Sequence, residues 1–229
     1  MAAAAAGVRN GRVASRFMGF FDWFRSPPPI ADRPALIEHL DSRAAFIVQK
    51  GIFEFSRAAA GMMFISLLKE RAFADAVDQA RWKSYPLGLL MVTEMVHGVL
   101  RPAATGAMPL AEALQQAAFT VIDRYPVPKP LGAEAWAAAR ANLGQRVIHI
   151  ALHPPKAVKD IPIPMADQFF LNLPIHESLR GRDDTIVTNN LRTNLLGLYD
   201  DFERRADAVA LVRALGVAAE MQASVRRSG

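Results

Sequence analysis

From Asp32 onward, apolar residues recur at three- and four-residue intervals, and no segment shows a sustained alternation of period two. Helical periodicity throughout and strand periodicity nowhere restrict the chain to helix-on-helix packing. Alanine dominates the apolar residues and β-branched runs are few, which favours helix further. A hydrophobic fraction of 52% against 21% charged describes a globular chain with a sizeable core. The expected architecture is all-α, a single-domain bundle of six to eight helices with two proline-rich extended connectors.

Prolines and glycines punctuate the pattern. Asp32 is an N-cap candidate with Pro34 in the first turn, opening a helix over Ala35–Ala60 in which Leu36, Leu40, Ala44, Ile47, Gly51 and Phe55 share a face. Gly61 marks a break. A second helix is expected over Met62–Arg81 and a third over Leu87–Leu100, opened by Pro86. A fourth follows over Leu110–Tyr125, then the stiff connector Tyr125–Pro130, then a fifth over Ala133–Leu152. The second connector runs from His153 to Pro164. Beyond it come a short helix at Met165–Asn172, a polar elbow, and a long last helix from Asp183 or Asp184 to about Leu215. The expected domains are an N-terminal arm over 1–30, a helical domain over 31–216 and a tail over 217–229.

Formal net charge is +5, of which residues 1–30 carry +3 through Arg9, Arg12, Arg16 and Arg25 against Asp22. No Lys/Arg block with interleaved aromatics occurs, so no nucleic-acid partner is expected. The chain has no cysteine. That excludes disulfides, thiolate metal ligands and a cysteine nucleophile. No apolar run is long enough to cross a bilayer.

In the arm, four aromatics fall within five residues: Phe20, Phe21, Trp23 and Phe24, flanked by Arg16 and Arg25 and followed by three prolines. Such a short amphipathic segment suits the interface of an anionic membrane, and these six residues are the membrane-contact candidates. Folding back onto the core is the alternative. Met1–Arg16, rich in alanine and arginine and free of acid, has the composition of an organelle transit peptide. An upstream extension ahead of a start at Met18 is the other reading. The localisation expected is cytoplasmic and membrane-peripheral, or organellar if the first residues direct import.

Polar chemistry is densest over Leu173–Asp201. On its helix Val187, Leu191, Leu195, Leu198 and Phe202 form an apolar stripe. Asn190, Asn194 and Asp201 line one border; Asn189, Arg192 and Glu203 line the other. Asparagine is a poor helix former, so its repetition asks for a reason. Either the amides hold a neighbouring loop such as the 153–164 connector, or His176, Arg180, Asn190, Arg192 and Asn194 form a patch for a ligand or protein partner. The structural reason is favoured.

Two smaller constellations stand out. Glu94 and His97, at i and i+3, resemble half of a di-iron motif with no second half, and Glu94 is expected to accept from a buried arginine or from His97. His149 and His153 are at i and i+4 with no assured third ligand, and His153 is expected to end its helix. No metal or cofactor is expected. There is no Gly-x-Ser-x-Gly turn, phosphate loop or dinucleotide fingerprint.

The leading functional expectation is a non-enzymatic adaptor, assembly or regulatory protein at a membrane surface. One alternative is a small esterase-like hydrolase or lipid-modifying enzyme with His176 as base and Ser178, Asp183 or Asp184 near it. Another is a carrier of an apolar ligand, with Met62, Met63, Met91 and Met95 lining its cavity.

Overall fold

The computed structural model describes residues 28–175 and 184–218. Among these the chain is all-α. Its helices are α1 (Arg33–Ala60), α2 (Phe64–Leu67), α3 (Arg71–Leu100), α4 (Ala107–Ile122), α5 (Gly132–Ile150), α6 (Ile163–Asn172), α7 (Asp184–Arg205) and α8 (Ala208–Ala214). No helix among the described residues is long and apolar enough to cross a membrane.

α1 starts where Asp32 accepts from the Ala35 amide at 2.8 Å, with Pro34 in the first turn, and stops at Gly61, whose φ of 52° favours glycine. Its buried face, Leu36, Leu40, Ala44, Ile47, Val48 and Ile52, packs on α3. The two helices cross closely at Gly88, where an added Cβ would lie 2.5 Å from Val48 and 3.0 Å from the Ala44 carbonyl oxygen.

Pro86 does not open a helix; it lies inside α3, which runs unbroken from Arg71. An interior proline costs about 3 kcal/mol. What offsets it is the packing on both sides: Ala80, Ser84, Tyr85, Leu89 and Leu90 are buried. Trp82 and Tyr85 stack edge-on with Tyr125, and Trp82 with Trp136. The Tyr85 and Tyr125 hydroxyls both donate to Asp41 Oδ1 at 2.6 Å, and Arg124 pairs with Asp41 Oδ2 at 3.3 Å. This bracket ties α3 and the end of α4 to α1. Burial and the bond to Asp41 push both phenols upward, Tyr85 far more, so both remain donors.

The expected continuous helix over Met62–Arg81 is also broken. A single 3-10 turn at Gly61–Met63 leads into the four-residue α2, and Leu68–Glu70 turns the chain into α3. Phe64 is the residue that fixes this corner. It is buried edge-on against Phe53 of α1 and Phe73 of α3, so the chain must reverse around it.

The expected long last helix stops at Arg205 and restarts as α8, capped by the Asp207 side chain accepting from the Ala210 amide at 2.9 Å. The interruption has a partner distant in sequence. The Ile30 amide donates to the Arg205 carbonyl at 2.9 Å and the Asp207 amide to the Ile30 carbonyl at 3.0 Å. At the other end, the Thr105 amide donates to the Val217 carbonyl at 2.9 Å. Ile30 and Val217 are both buried, so packing extends to these positions on either side of 31–216.

Candidate functional site

A cleft of about 600 Å³ opens between α3, α5 and the second proline-rich connector. Helical spacing builds two of its walls. Leu90, Glu94 and the adjacent pair His97–Gly98 succeed one another at one-turn intervals on α3. On α5, Arg146 lies one turn before the adjacent pair His149–Ile150, with His153 in the turn beyond. Pro154 to Ile161 forms the third wall, and Tyr199 and Glu203 of α7 stand at the edge. The walls are otherwise apolar: Met95, Val99, Ile150, Val158 and Ile161, with prolines 154, 155 and 164. Both small constellations singled out in the sequence thus face one space.

The connector is held at three points. Arg101 donates to the His153 carbonyl at 2.6 Å, Lys156 to Glu94 Oε1 at 2.7 Å, and Arg192 to the Lys159 carbonyl at 2.9 Å. Prolines lack amide donors of their own, so fixing the loop falls to these side chains. Glu94, buried to 8% exposure, is therefore neutralised by Lys156, not by an arginine or His97 as expected.

His97 is 1% exposed. Its Nε2 lies 3.2 Å from the Ala107 carbonyl oxygen, which requires a proton on Nε2, and its buried Nδ1 has no partner. Burial lowers its pKa; the Ala107 carbonyl and Glu94 act the other way. The neutral ring is the form that fits.

Arg146 differs from every other polar group here. It is half-buried in the cleft and makes no hydrogen bond or ion pair with the described residues. Burial lowers its pKa, and Glu94 opposes that at longer range. A guanidinium remains charged regardless, and no described residue accepts from its five N–H donors. Leu90 and Arg146 also line a second depression of about 410 Å³, reached from the α5–α6 side, and so stand between the two.

The residues expected to form a patch divide across α7. Asn194, 8% exposed, donates to Asn190 Oδ1 at 2.8 Å, and Asn190 donates to Glu54 Oε2 of α1. Arg192 lies on the other border. It holds the Lys159 carbonyl, approaches Asp160 at 3.8 Å and reaches Asn189 at 3.5 Å. The structure brings Asn190 and Asn194 together and separates Arg192 from both. A loop clamp exists as anticipated, but an arginine supplies it and not an asparagine. The stripe Val187, Leu191, Leu195, Leu198 and Phe202 is buried throughout. His176, Ser178, Arg180 and Asp183, the side chain of Asp184, and the arm residues Arg16, Phe20, Phe21, Trp23, Phe24 and Arg25 lie outside what is described. Of the expected cavity methionines, Met91 is core, Met95 is buried and lines the cleft, and Met62 and Met63 are on the surface. No cluster of three or more His, Asp or Glu capable of holding a metal occurs among the described residues.

Sequence reading missed Arg146 and Lys156. The signal for Arg146 was its position one turn before His149; nothing local showed that this face of α5 meets Glu94 and His97. Comparison with protein-family models, with curated proteins and with solved structures gave no match.

Proposed function

We propose that this chain is a non-catalytic helical binding protein whose α3–α5 cleft takes an amphipathic organic anion, a carboxylate or phosphate head on an apolar body. Arg146 carries this reading: it is a half-buried guanidinium with no acceptor, set among apolar walls. A planar fork of donors matches a carboxylate or phosphate bidentately. The cleft volume falls within the range of small-molecule sites, and its lining sets charged and polar side chains among apolar ones, as an amphipathic ligand requires. Of the other buried polar groups, Glu94 is held by Lys156 and His97 Nε2 by Ala107, which leaves the neutral His97 Nδ1 unpartnered, while His149 and His153 are exposed. Binding is thus favoured over acid–base chemistry. The adaptor or regulatory role expected from the sequence would then depend on occupancy of the cleft. The hydrolase expectation rests on His176, outside the described residues.

The test is calorimetric titration of the full chain with dodecanoate, using dodecylamine as the same tail with the opposite charge. Dodecanoate should bind and dodecylamine should not. Arg146→Gln should weaken dodecanoate binding by about 2 kcal/mol, roughly thirtyfold in Kd. Equal binding of the two amphiphiles, or an unchanged Kd in the variant, would remove the anion reading.

A further inference from the structure

We propose that the corner formed by the end of α1, α2 and the start of α3 is a docking surface for an anionic lipid bilayer. This lies apart from the Arg146 cleft and does not depend on it.

The corner exposes what a soluble surface ordinarily covers. Met62 is 99% exposed, Ile65 64%, Met63 62% and Leu68 43%, all within seven consecutive residues. The reason is geometric. A reversal this tight turns one residue of α2 inward, Phe64, and sends the apolar neighbours outward. Behind them a groove of about 480 Å³ is walled by Phe46, Phe53, Phe64 and Phe73. Leu68 of the tip also lines the groove, and Phe46 and Phe53 are themselves 41% and 48% exposed, so the apolar surface continues from tip to groove. Contiguous exposed apolar surface of this kind marks a contact site.

Charge selects the partner. Arg57, Lys69 and Arg71 flank the tip against a single acid, Glu70. Arg57 and Lys69 make no ion pair with any described residue, and Arg71 reaches Asp75 only at 3.9 Å with both side chains mostly exposed. The charged residues lining the groove are Lys50 and Arg81, and no carboxylate lines it. Lys50 pairs with Glu54 at 3.7 Å, and Arg81 lies over the Trp82 ring. Asp75 and Asp78 sit farther along α3. Protruding flexible side chains set ahead of a cationic collar match the layering of a membrane leaflet, hydrocarbon beneath anionic headgroups. A cleft-bearing protein partner would have no need of that order, and a second copy would bring the same cations face to face.

The absence of cysteine makes the test direct. The full chain carrying Met62→Cys is labelled with an environment-sensitive fluorophore, with a Leu152→Cys chain, exposed far from this corner in sequence, as reference. Vesicles of phosphatidylcholine with phosphatidylserine should blue-shift the Met62 label and leave the Leu152 label unchanged; pure phosphatidylcholine should shift neither. In sedimentation with the same vesicles, the full-length Met62→Ser/Ile65→Ser double variant should bind about tenfold more weakly, and Lys69→Glu at least fivefold. These positions are exposed, and unchanged thermal melts confirm that the variants fold. A full-length Trp23→Ser/Phe24→Ser chain separates this surface from the arm: the Met62 label should still shift. The proposal is overturned if the unmodified chain ignores anionic vesicles, if the label stays in water while the protein sediments, or if the tip variants bind as the parent does. It is equally overturned if those variants abolish self-association and leave vesicle binding intact, which would make the occupant a second copy.

Discussion

Asp201 on α7 and Arg146 on α5 are both charged side chains at the margin of the core, and they sit in opposite situations. Asp201 accepts from Arg43 at 2.8 Å, from Arg205 at 2.9 Å and from Arg204 at 3.2 Å. Burial alone would raise its pKa, but the Arg205 bond and the surrounding guanidinium charges outweigh that and hold it below the ordinary carboxylate range. Farther along the same helix Asn190, Asn194 and Arg192 each have described partners. Arg146 has none. The difference shows that the described polar groups of α7 are spent on holding helices and the connector. α7 is rich in polar groups because it must be fastened to α1 on one side and to the proline-rich connector on the other. The cleft has fewer, and its guanidinium has no acceptor among the described residues.

The largest expected effect tests whether the α1–α7 side is as complete as its ion pairs suggest. His39 packs on the Phe202 ring at 4.8 Å between these helices, and its buried Nε2 has no partner. Burial, with Arg43 and Arg205 nearby and Asp201 opposing them, lowers its pKa from 6.5 to about 4. The unfolded chain therefore takes up a proton below pH 6.5 that the folded chain refuses until about pH 4. Stability is complete above pH 6.5 and falls with acidification, by about 3 kcal/mol in total at pH 4. His97 acts in the same direction. Urea unfolding across this range should show the loss, and His39→Gln should flatten it. If the slope survives that substitution, the cleft side and not the α7 side carries the acid sensitivity, and the contrast between the two regions fails.

A smaller effect comes from removing the hub itself. Asp201→Ala leaves Arg43 and Arg205 partly buried and unneutralised. The pairs are neither fully buried nor free in water, so the expected cost is about 2 kcal/mol. A shift of the urea midpoint at unchanged m would show it. A change below about 0.5 kcal/mol would mean that this network fastens nothing.

What the sequence disclosed follows the range of the interactions involved. The helical class, the cap at Asp32, the stop at Gly61 and the buried stripe from Val187 to Phe202 depend on neighbours a few residues apart, and all are observed. The role of Pro86 and the continuity of the last helix past Arg205 were misread because distant residues decide them. Tyr85 and Trp82 hold α3 through its proline by packing on α1, α4 and α5, and Ile30 pairs with the α7–α8 junction from the far end of the chain. The candidate site was hidden for the same reason. Glu94–His97 and His149–His153 were each visible and each incomplete, and their convergence is a property of how α3 packs on α5. Arg146 lies between Gln145 and Val147 in a stretch with no motif, and its lack of an acceptor is a fact about its surroundings.

Arg146→Ala therefore provides the smallest expected stability change and the sharpest use of the contrast. The substitution removes no hydrogen bond and no ion pair, and it relieves the desolvation that lowers this guanidinium's pKa. The aliphatic stem contributes some packing against the cleft wall, which offsets that relief. The net change in unfolding free energy should stay within about 0.5 kcal/mol, against about 2 for Asp201→Ala measured in the same buffer. A loss of 2 kcal/mol or more at Arg146 would mean that the side chain is a structural fastener like Asp201. The cleft would then have no open polar group to offer a ligand. A near-zero loss combined with weakened dodecanoate binding separates the two regions by what their charges do: one set holds helices together, and the other waits for an acceptor from outside the fold.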